Sequence, residues 1–238
     1  MDSLITLFGR WGCPLLLICM AACTWGGQTR AETDNVTVRY GNNGIPNFLK
    51  GENLSAPLEN DLVFRALQAE ERYGDIALHF LDSQRGRFHL KSAQDEFVLR
   101  SIDVDDLGQK HIKLDQVHQT IAVWGNDMGV HLNQKNQVFF IHGTYQPITP
   151  GLNTTAVLSR ESAALKAIAA NSGDAHWQTL DVALVVWAPN SDVQRLAFKV
   201  TQQREDLFRQ LCFVDARDGK ILHVLSLTRT EELKININ

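Results

Sequence analysis

Cysteine is nearly absent from the part of this chain that could fold. Of its 4 Cys, Cys13, Cys19 and Cys23 lie near the N-terminus and Cys212 alone stands further along. That excludes a disulfide framework. Cys212, between Leu211 and Phe213, reads as a small buried apolar residue rather than a nucleophile or ligand. Positive charge is not in excess either. With 23 Lys and Arg against 27 Asp and Glu, the formal net charge is -4, which is no footprint for nucleic acid or an anionic bilayer. Only 6 Pro and 16 Gly are present, so the chain is neither collagen-like nor low in complexity. There is no Gly-rich phosphate loop and no alternation of strand and helix, which argues against a nucleotide enzyme. What is present, 44% hydrophobic and 21% charged over 238 residues, is ordinary globular composition, enough for one large domain or two small ones.

The first residues have the pattern of an export signal. Arg10 is the basic side chain of a weak n-region, and Asp2 offsets it. The apolar stretch Cys13–Met20 is too short to span a bilayer comfortably. Ala21-Ala22-Cys23 follows, and small residues before a Cys resemble a bacterial lipobox, with Met20 where Leu is usual. Cys23 is therefore the candidate lipidation site, giving an exported lipoprotein of the outer or cell-surface membrane. Ordinary signal cleavage, for instance after Ala31, is the rival reading and gives a periplasmic or secreted protein. The sequons at Asn35, Asn53 and Asn153 bear on a eukaryotic secreted protein and mean little in a bacterial one.

The periodicity then divides the chain. Residues 1–22 form the signal peptide, and the Gly-, Asn- and Thr-rich residues that follow read as a tether over 23–57. Pro57 suits a first helical turn. Leu58, Leu62, Ala66 and Leu67, then Ile76, Ala77, Phe80 and Leu81, recur at helical spacing with a break at Tyr73-Gly74, and Gly86 closes the pattern. From Glu96 the period becomes two. Strands are expected around 97–102, 110–118, 123–132 and 138–143, with turns at Asp105–Gly108 and Asn133–Asn136. Pro147, Pro150 and Gly151 mark a linker over 146–156. A second unit follows over 157–229: a helix capped by Ser159 and ended by Asn171-Ser172-Gly173, then strands at 180–187, 195–202, 210–216 and 220–227, the last two joined at Asp218-Gly219. Residues 230–238 are a C-terminal tail. The expected fold class is α+β, as two small tandem domains, each a helix packed on an antiparallel sheet in a cystatin-like manner.

Two segments carry a resemblance. His111–Gly125, followed by the alternating Met128–Leu132, the polar Asn133–Asn136 and the strand Val138–Gly143, resembles the fungalysin/thermolysin propeptide domain, with Thr120 and Ala122 where that family has Gly and Pro in its turn. In the second unit, Ser159–Ala170, Val182–Pro189, Leu196–Val200 and Phe213–Leu222 are similar to the PepSY domain, the propeptide module that follows it in such precursors. The resemblance spans roughly 58–230. It implies a thermolysin-type metallopeptidase propeptide. The zinc motif of those peptidases, His-Glu-x-x-His on one helix, is absent, because no His here is followed by Glu. With Asn238 close to where such precursors pass into the peptidase, the expectation is a propeptide without a catalytic domain and not an enzyme.

Four His stand on neighbouring expected strands: His111, His118, His131 and His142. A metal site is conceivable, but no two are spaced two apart to share a face and no Cys supports them, so ordinary sheet histidines are the simpler reading and no metal or cofactor is expected. Asp103, Asp105 and Asp106 lack calcium-loop spacing and read as a solvated turn. Asp215 is expected to hold turn amides, and Trp124 and Trp187 to anchor their sheets, with partly exposed contact residues as the other reading of the two Trp. The expected partner is a thermolysin-type peptidase, bound, inhibited or assisted in folding, with no nucleic-acid partner. The alternative is an envelope lipoprotein whose propeptide-like domains bind another protein or peptide. In the tail, Leu233, Ile235 and Ile237 alternate with polar residues as an added strand would, and are the candidate peptidase-binding residues. A frayed terminus is the other reading of that tail.

Overall fold

A computed structural model describes residues 35–171 and 176–227. These described residues all fall within one compact unit. The fold is mixed α+β, with ten strands and five short α-helices among them.

The segment expected to be a tether is in part a hairpin. β1 (Thr37–Tyr40) pairs antiparallel with β2 (Pro46–Lys50), and β2 goes on to pair with β6 (Val138–Gly143). The Gly- and Asn-rich composition belongs to the turn between β1 and β2, where Asn43 Oδ1 accepts from the Ile45 amide at 3.1 Å. Ile45 and Leu49 are buried in the core. Strands of four and five residues are too short to show a period, which is why composition alone misled.

A 3-10 turn at Ala56–Leu58 begins at the Pro57 region as expected, but α1 (Leu62–Ala69) starts later, where Asp61 accepts from the amides of Val63 and Phe64. Glu71, at φ 55°, reverses the chain before α2 (Tyr73–Ser83). Gly86 does not end the helical stretch. It lies inside α3 (Arg85–Phe88), which ends at His89 in the left-handed region. α4 (Ala93–Glu96) is capped by Ser92 and passes into β3 (Phe97–Val104). β3 pairs with β4 (Lys110–His118), and β4 with β5 (Ile121–Leu132), in a meander that continues to β6. The inward rows of this sheet, including Ile112 and Leu114 of β4, Met128, Val130 and Leu132 of β5, and Ile141 of β6, pack on Phe64, Ile76, Phe80 and Leu81 of the helices. Each such large apolar side chain stabilises by roughly 1.5–3 kcal/mol on burial.

The second half has the same plan. α5 (Arg160–Ala169) is capped by Ser159, whose hydroxyl accepts from the Ser162 amide. Its Ala163 and Ala167 are small enough to bring the helix close to a sheet of β7 (Trp177–Trp187), β8 (Arg195–Arg204), β9 (Arg209–Asp215) and β10 (Ile221–Ser226), against Leu196, Phe198, Val200, Cys212 and Val214. Gly219, at φ 76°, makes the β9–β10 turn.

The expected tandem of two separate sheets is not what forms. β6 ends at Gly143, opposite Met128, and leaves the beginning of that edge of β5 unpaired. β7 takes the vacancy in a parallel pairing, Val123 opposite Val186. All ten strands therefore form one continuous sheet. Val123, Val186, Ile148 and Ala188 make a small core at the seam, and Ile148 of the expected linker belongs to it. Two helix-covered halves remain recognisable, each with its own core.

Candidate functional site

The β4–β5 hairpin closes through Gln119 and Thr120, both left-handed, at φ 49° and 71°. Two successive left-handed residues are what a tight hairpin turn with native twist requires. Beneath the turn, α4, the end of β4 and the segment after β6 enclose a cavity of about 390 Å³, lined among others by Lys91, Glu96, His118, Tyr145 and Ile148.

Its polar groups are held from several directions. The Gln116 side chain donates to the Gln146 carbonyl at 2.7 Å and accepts from the Gln146 amide at 3.0 Å. The buried Tyr145 hydroxyl donates to Glu96, whose other oxygen accepts from the Lys91 amide at 3.1 Å. Burial raises the Tyr145 pKa, and its bond to Glu96 adds to the effect. Nε2 of His118 is buried without a hydrogen-bond partner. Desolvation lowers the His118 pKa, Lys91 adding to the fall and Glu96 opposing it. The carboxylate is thus committed to Tyr145, and no hydrogen bond among the described residues joins His118 to a hydroxyl or thiol. An activated nucleophile would need such a hydrogen bond to its base.

The other three His do come together, on the outer face of the sheet. His111 and His131 sit opposite one another in register, with their Nδ1 atoms 2.6 Å apart. Nε2 of His111 lies 3.1 Å from Asp105, and His131 stacks on Phe140 and His142. Burial depresses the His131 pKa to about 4, with the charges of His142 and His111 adding to it. Cross-strand register, not spacing along one strand, makes this group, so sequence spacing missed it. Among the described residues no set of three or more His, Cys, Asp or Glu is arranged to hold a metal ion. Asp105 accepts from the Leu107 and Gln109 amides, as a turn residue does, while Asp103 faces Lys113.

Asp215 holds its turn as expected, accepting from the Arg217 and Asp218 amides at 2.8 and 3.3 Å and from Arg195 at 3.1 Å. Cys212 is buried, and burial pushes its thiol up to about 11, which makes it a poor nucleophile at neutral pH. Trp124 and Trp187 both lie against the buried Phe213, at 5.4 and 6.4 Å between ring centroids, while each keeps part of its surface exposed. Cys23, Leu233, Ile235 and Ile237 lie outside the described residues. The sequence reading did not single out Glu96, Gln116 or Tyr145 as site residues. One signal was available: Gln116 shares the inward parity of Ile112 and Leu114, and an inward polar residue needs a dedicated partner.

The hairpin, the cavity residues Glu96, Gln116, His118 and Tyr145, and the three-His face all fall in one stretch of the chain. Residues 95–145 match the Fungalysin/Thermolysin Propeptide Motif. The motif thus begins at the end of α4 and runs through the meander to Tyr145. No curated protein matches the sequence. Among solved structures, the chain is similar to the Bacillus megaterium YpeB C-terminal domain at 11% identity, with a TM-score of 0.36, covering 82% of this chain and 76% of that one. It is also similar to a lipoprotein described as putative, CD1622 from Clostridium difficile 630, at 15% identity and a TM-score of 0.26, covering 64% of this chain and 91% of that one. No helix among the described residues is long and apolar enough to cross a membrane.

Proposed function

We propose that this chain is a non-catalytic binding protein of the propeptide type, whose partner is a thermolysin-type zinc metallopeptidase that it inhibits or helps to fold. The observation that carries the reading is the propeptide motif at 95–145 in a chain where no His is followed by Glu, so that the zinc-binding helix signature of those peptidases is missing. The hairpin of the motif, with its hydrogen-bonded base and buried polar groups, supports a recognition role, and its described residues form no hydrogen-bonded catalytic pair. Two further assignments belong to the same proposal: a lipid anchor at Cys23, and peptidase contact by Leu233, Ile235 and Ile237 as an added strand.

The test is inhibition of a thermolysin-type peptidase by the purified protein. Saturable inhibition with a Kd at or below ~10 μM supports the reading. Neither binding nor faster refolding of such a peptidase at that concentration would overturn it. Deletion of residues 230–238 should weaken the inhibition, and Cys23→Ser should move the protein out of the membrane fraction.

A further inference from the structure

The seam between the two halves of the sheet leaves a groove. β6 and β7 share one edge of β5, with β6 ending at Gly143 beside Met128 and β7 reaching its end at Trp187 beside Trp124. Between those ends, Gly125, at φ 78°, turns β5 through a stretch that neither strand covers fully. The β1–β2 turn and the β7–β8 turn stand over this opening. The result is a groove of two adjoining depressions of about 260 and 430 Å³, which share Asn126, Thr144, Ala188 and Pro189 as lining residues. Its size falls in the ~300–1,000 Å³ range of small-ligand sites, and its position is the kind of inter-element crevice where such sites occur.

The lining chemistry is specific. At one end stand the partly exposed rings of Trp124 and Trp187, with His223 at the rim, stacked 6.4 Å from Trp187. At the other stand the side chains of Asn42, Asn47, Asn126 and Asn190. No Asp, Glu, Lys or Arg lines either depression. One cation touches these rings, Lys199, with Nζ 5.3 Å from the Trp124 centroid, and it is not among the lining residues. Hydrogen bonds among the described residues leave the Asn42 and Asn47 amides unengaged and the Nδ2 of Asn190 free, its Oδ1 accepting from Asp192 and Val193. A carboxamide both donates and accepts, which is what a hydroxyl group needs from its partner. An indole face offers a flat apolar platform beside them.

We propose that the seam groove binds a neutral oligosaccharide, with a sugar ring lying on Trp124 and Trp187 and its hydroxyl groups held by the carboxamides of Asn42, Asn47, Asn126 and Asn190. The absence of charged lining groups selects against anionic ligands and free peptide termini. An extended peptide would need a ladder of free backbone donors and acceptors, whereas the Asn-rich wall is built from the β1–β2 and β7–β8 turns, which end at Pro46 and begin at Pro189, and neither Pro has an N–H. The proposal does not depend on the peptidase reading: of its six residues only Trp124 and Asn126 fall in the 95–145 motif, and none lines the cavity beneath the β4–β5 hairpin.

The experiment is a titration of the full protein with cellotriose and with N-acetylated chitotriose, read by tryptophan fluorescence and by calorimetry. At least one saccharide should bind saturably, with a Kd between roughly 10 μM and a few mM, unchanged between low and high NaCl because no ion pair is formed. Trp187→Ala should weaken binding about tenfold or more. Asn42→Ala and Asn190→Ala, on exposed turns that do not support the core, should each weaken it about threefold or more, so a folding defect in the Trp variant leaves the test intact. Absence of binding by both saccharides up to ~10 mM would overturn the proposal. So would wild-type affinity in both Asn variants, or displacement of the saccharide by a capped neutral peptide that binds more tightly.

Discussion

Gln116 and Gln146 are joined by two hydrogen bonds of opposite sense, the Gln116 carboxamide serving both the amide and the carbonyl of the Gln146 backbone. Both residues are buried. One strand side chain thus replaces the neighbouring strand that the segment after β6 does not have, and it ties that segment to β4 below the hairpin. Removing it leaves a buried donor and a buried acceptor without partners. Gln116→Leu should cost about 3 kcal/mol, each unsatisfied group contributing about 1–3 kcal/mol. Gln146→Ala should cost well under that, since its backbone makes these bonds. Urea midpoints with unchanged slopes would report the difference. Equal losses in the two variants would count against this account.

Thr120 carries a β-branched side chain at φ 71° on an exposed turn. A left-handed conformation costs an L-residue about 1–2 kcal/mol, which glycine avoids while losing more entropy on folding. Thr120→Gly should therefore stabilise the protein by roughly 0.5–1 kcal/mol, seen as a higher thermal midpoint. A lower midpoint would mean that Thr120 makes a contact worth more than its backbone strain.

Asp215 is nearly fully buried and fastens the β9–β10 turn to Arg195. Asp215→Ala should cost about 2–3 kcal/mol, because two turn amides lose a charged acceptor. Asp215→Asn keeps an acceptor at Oδ1 and should cost about half as much. Chemical denaturation of the two variants side by side gives the comparison, and an Asn variant as unstable as the Ala variant would assign the stability to the Arg195 ion pair instead.

His131 links stability to pH. Its folded pKa is depressed to about 4, first by burial and then by the neighbouring His142 and His111, against an ordinary value of 6.5. The unfolded chain therefore takes up a proton at this residue before the folded one does. Its contribution is intact above pH 6.5 and is lost as pH falls from 6.5 towards 4. His118, also shifted downwards by burial, acts in the same direction. His131→Phe removes the titrating group and keeps a ring against Phe140, so the fall in thermal midpoint across that pH window should be shallower in the variant. Parallel midpoint curves for variant and parent would remove the assignment.

The single continuous sheet predicts one cooperative transition. Val186 is fully buried at the seam with Val123. Tryptophan fluorescence, reporting on Trp124, Trp177 and Trp187, and far-ultraviolet circular dichroism, reporting on both halves, should share one urea midpoint. Val186→Ala opens a cavity there and should lower that shared midpoint by roughly 1–2 kcal/mol. Two separated midpoints would instead describe halves that unfold as independent domains.

Much of this architecture could be read from residue order. Alternation in Lys110–His118 and Met128–Leu132, the polar turn at Asn133–Asn136, the Ser159 cap and the Asp218-Gly219 turn are local patterns, and each local pattern has a local physical cause: period, capping or positive φ. The sequence by itself determined the meander, α5, the second set of strands and the role of Asp215 at its turn. Tertiary structure alone decided which strand lies beside which. β7 joins β5 because β6 stops at Gly143 and leaves an edge uncovered, and the His111–His131 contact exists because β4 and β5 pair in that register. The hairpin in the supposed tether, the reciprocal bonds of Gln116 and the Asn- and Trp-lined groove follow from the same cause. Backbone hydrogen bonds and buried apolar area are satisfied between segments far apart in the chain, and no periodicity within either segment records the identity of the other.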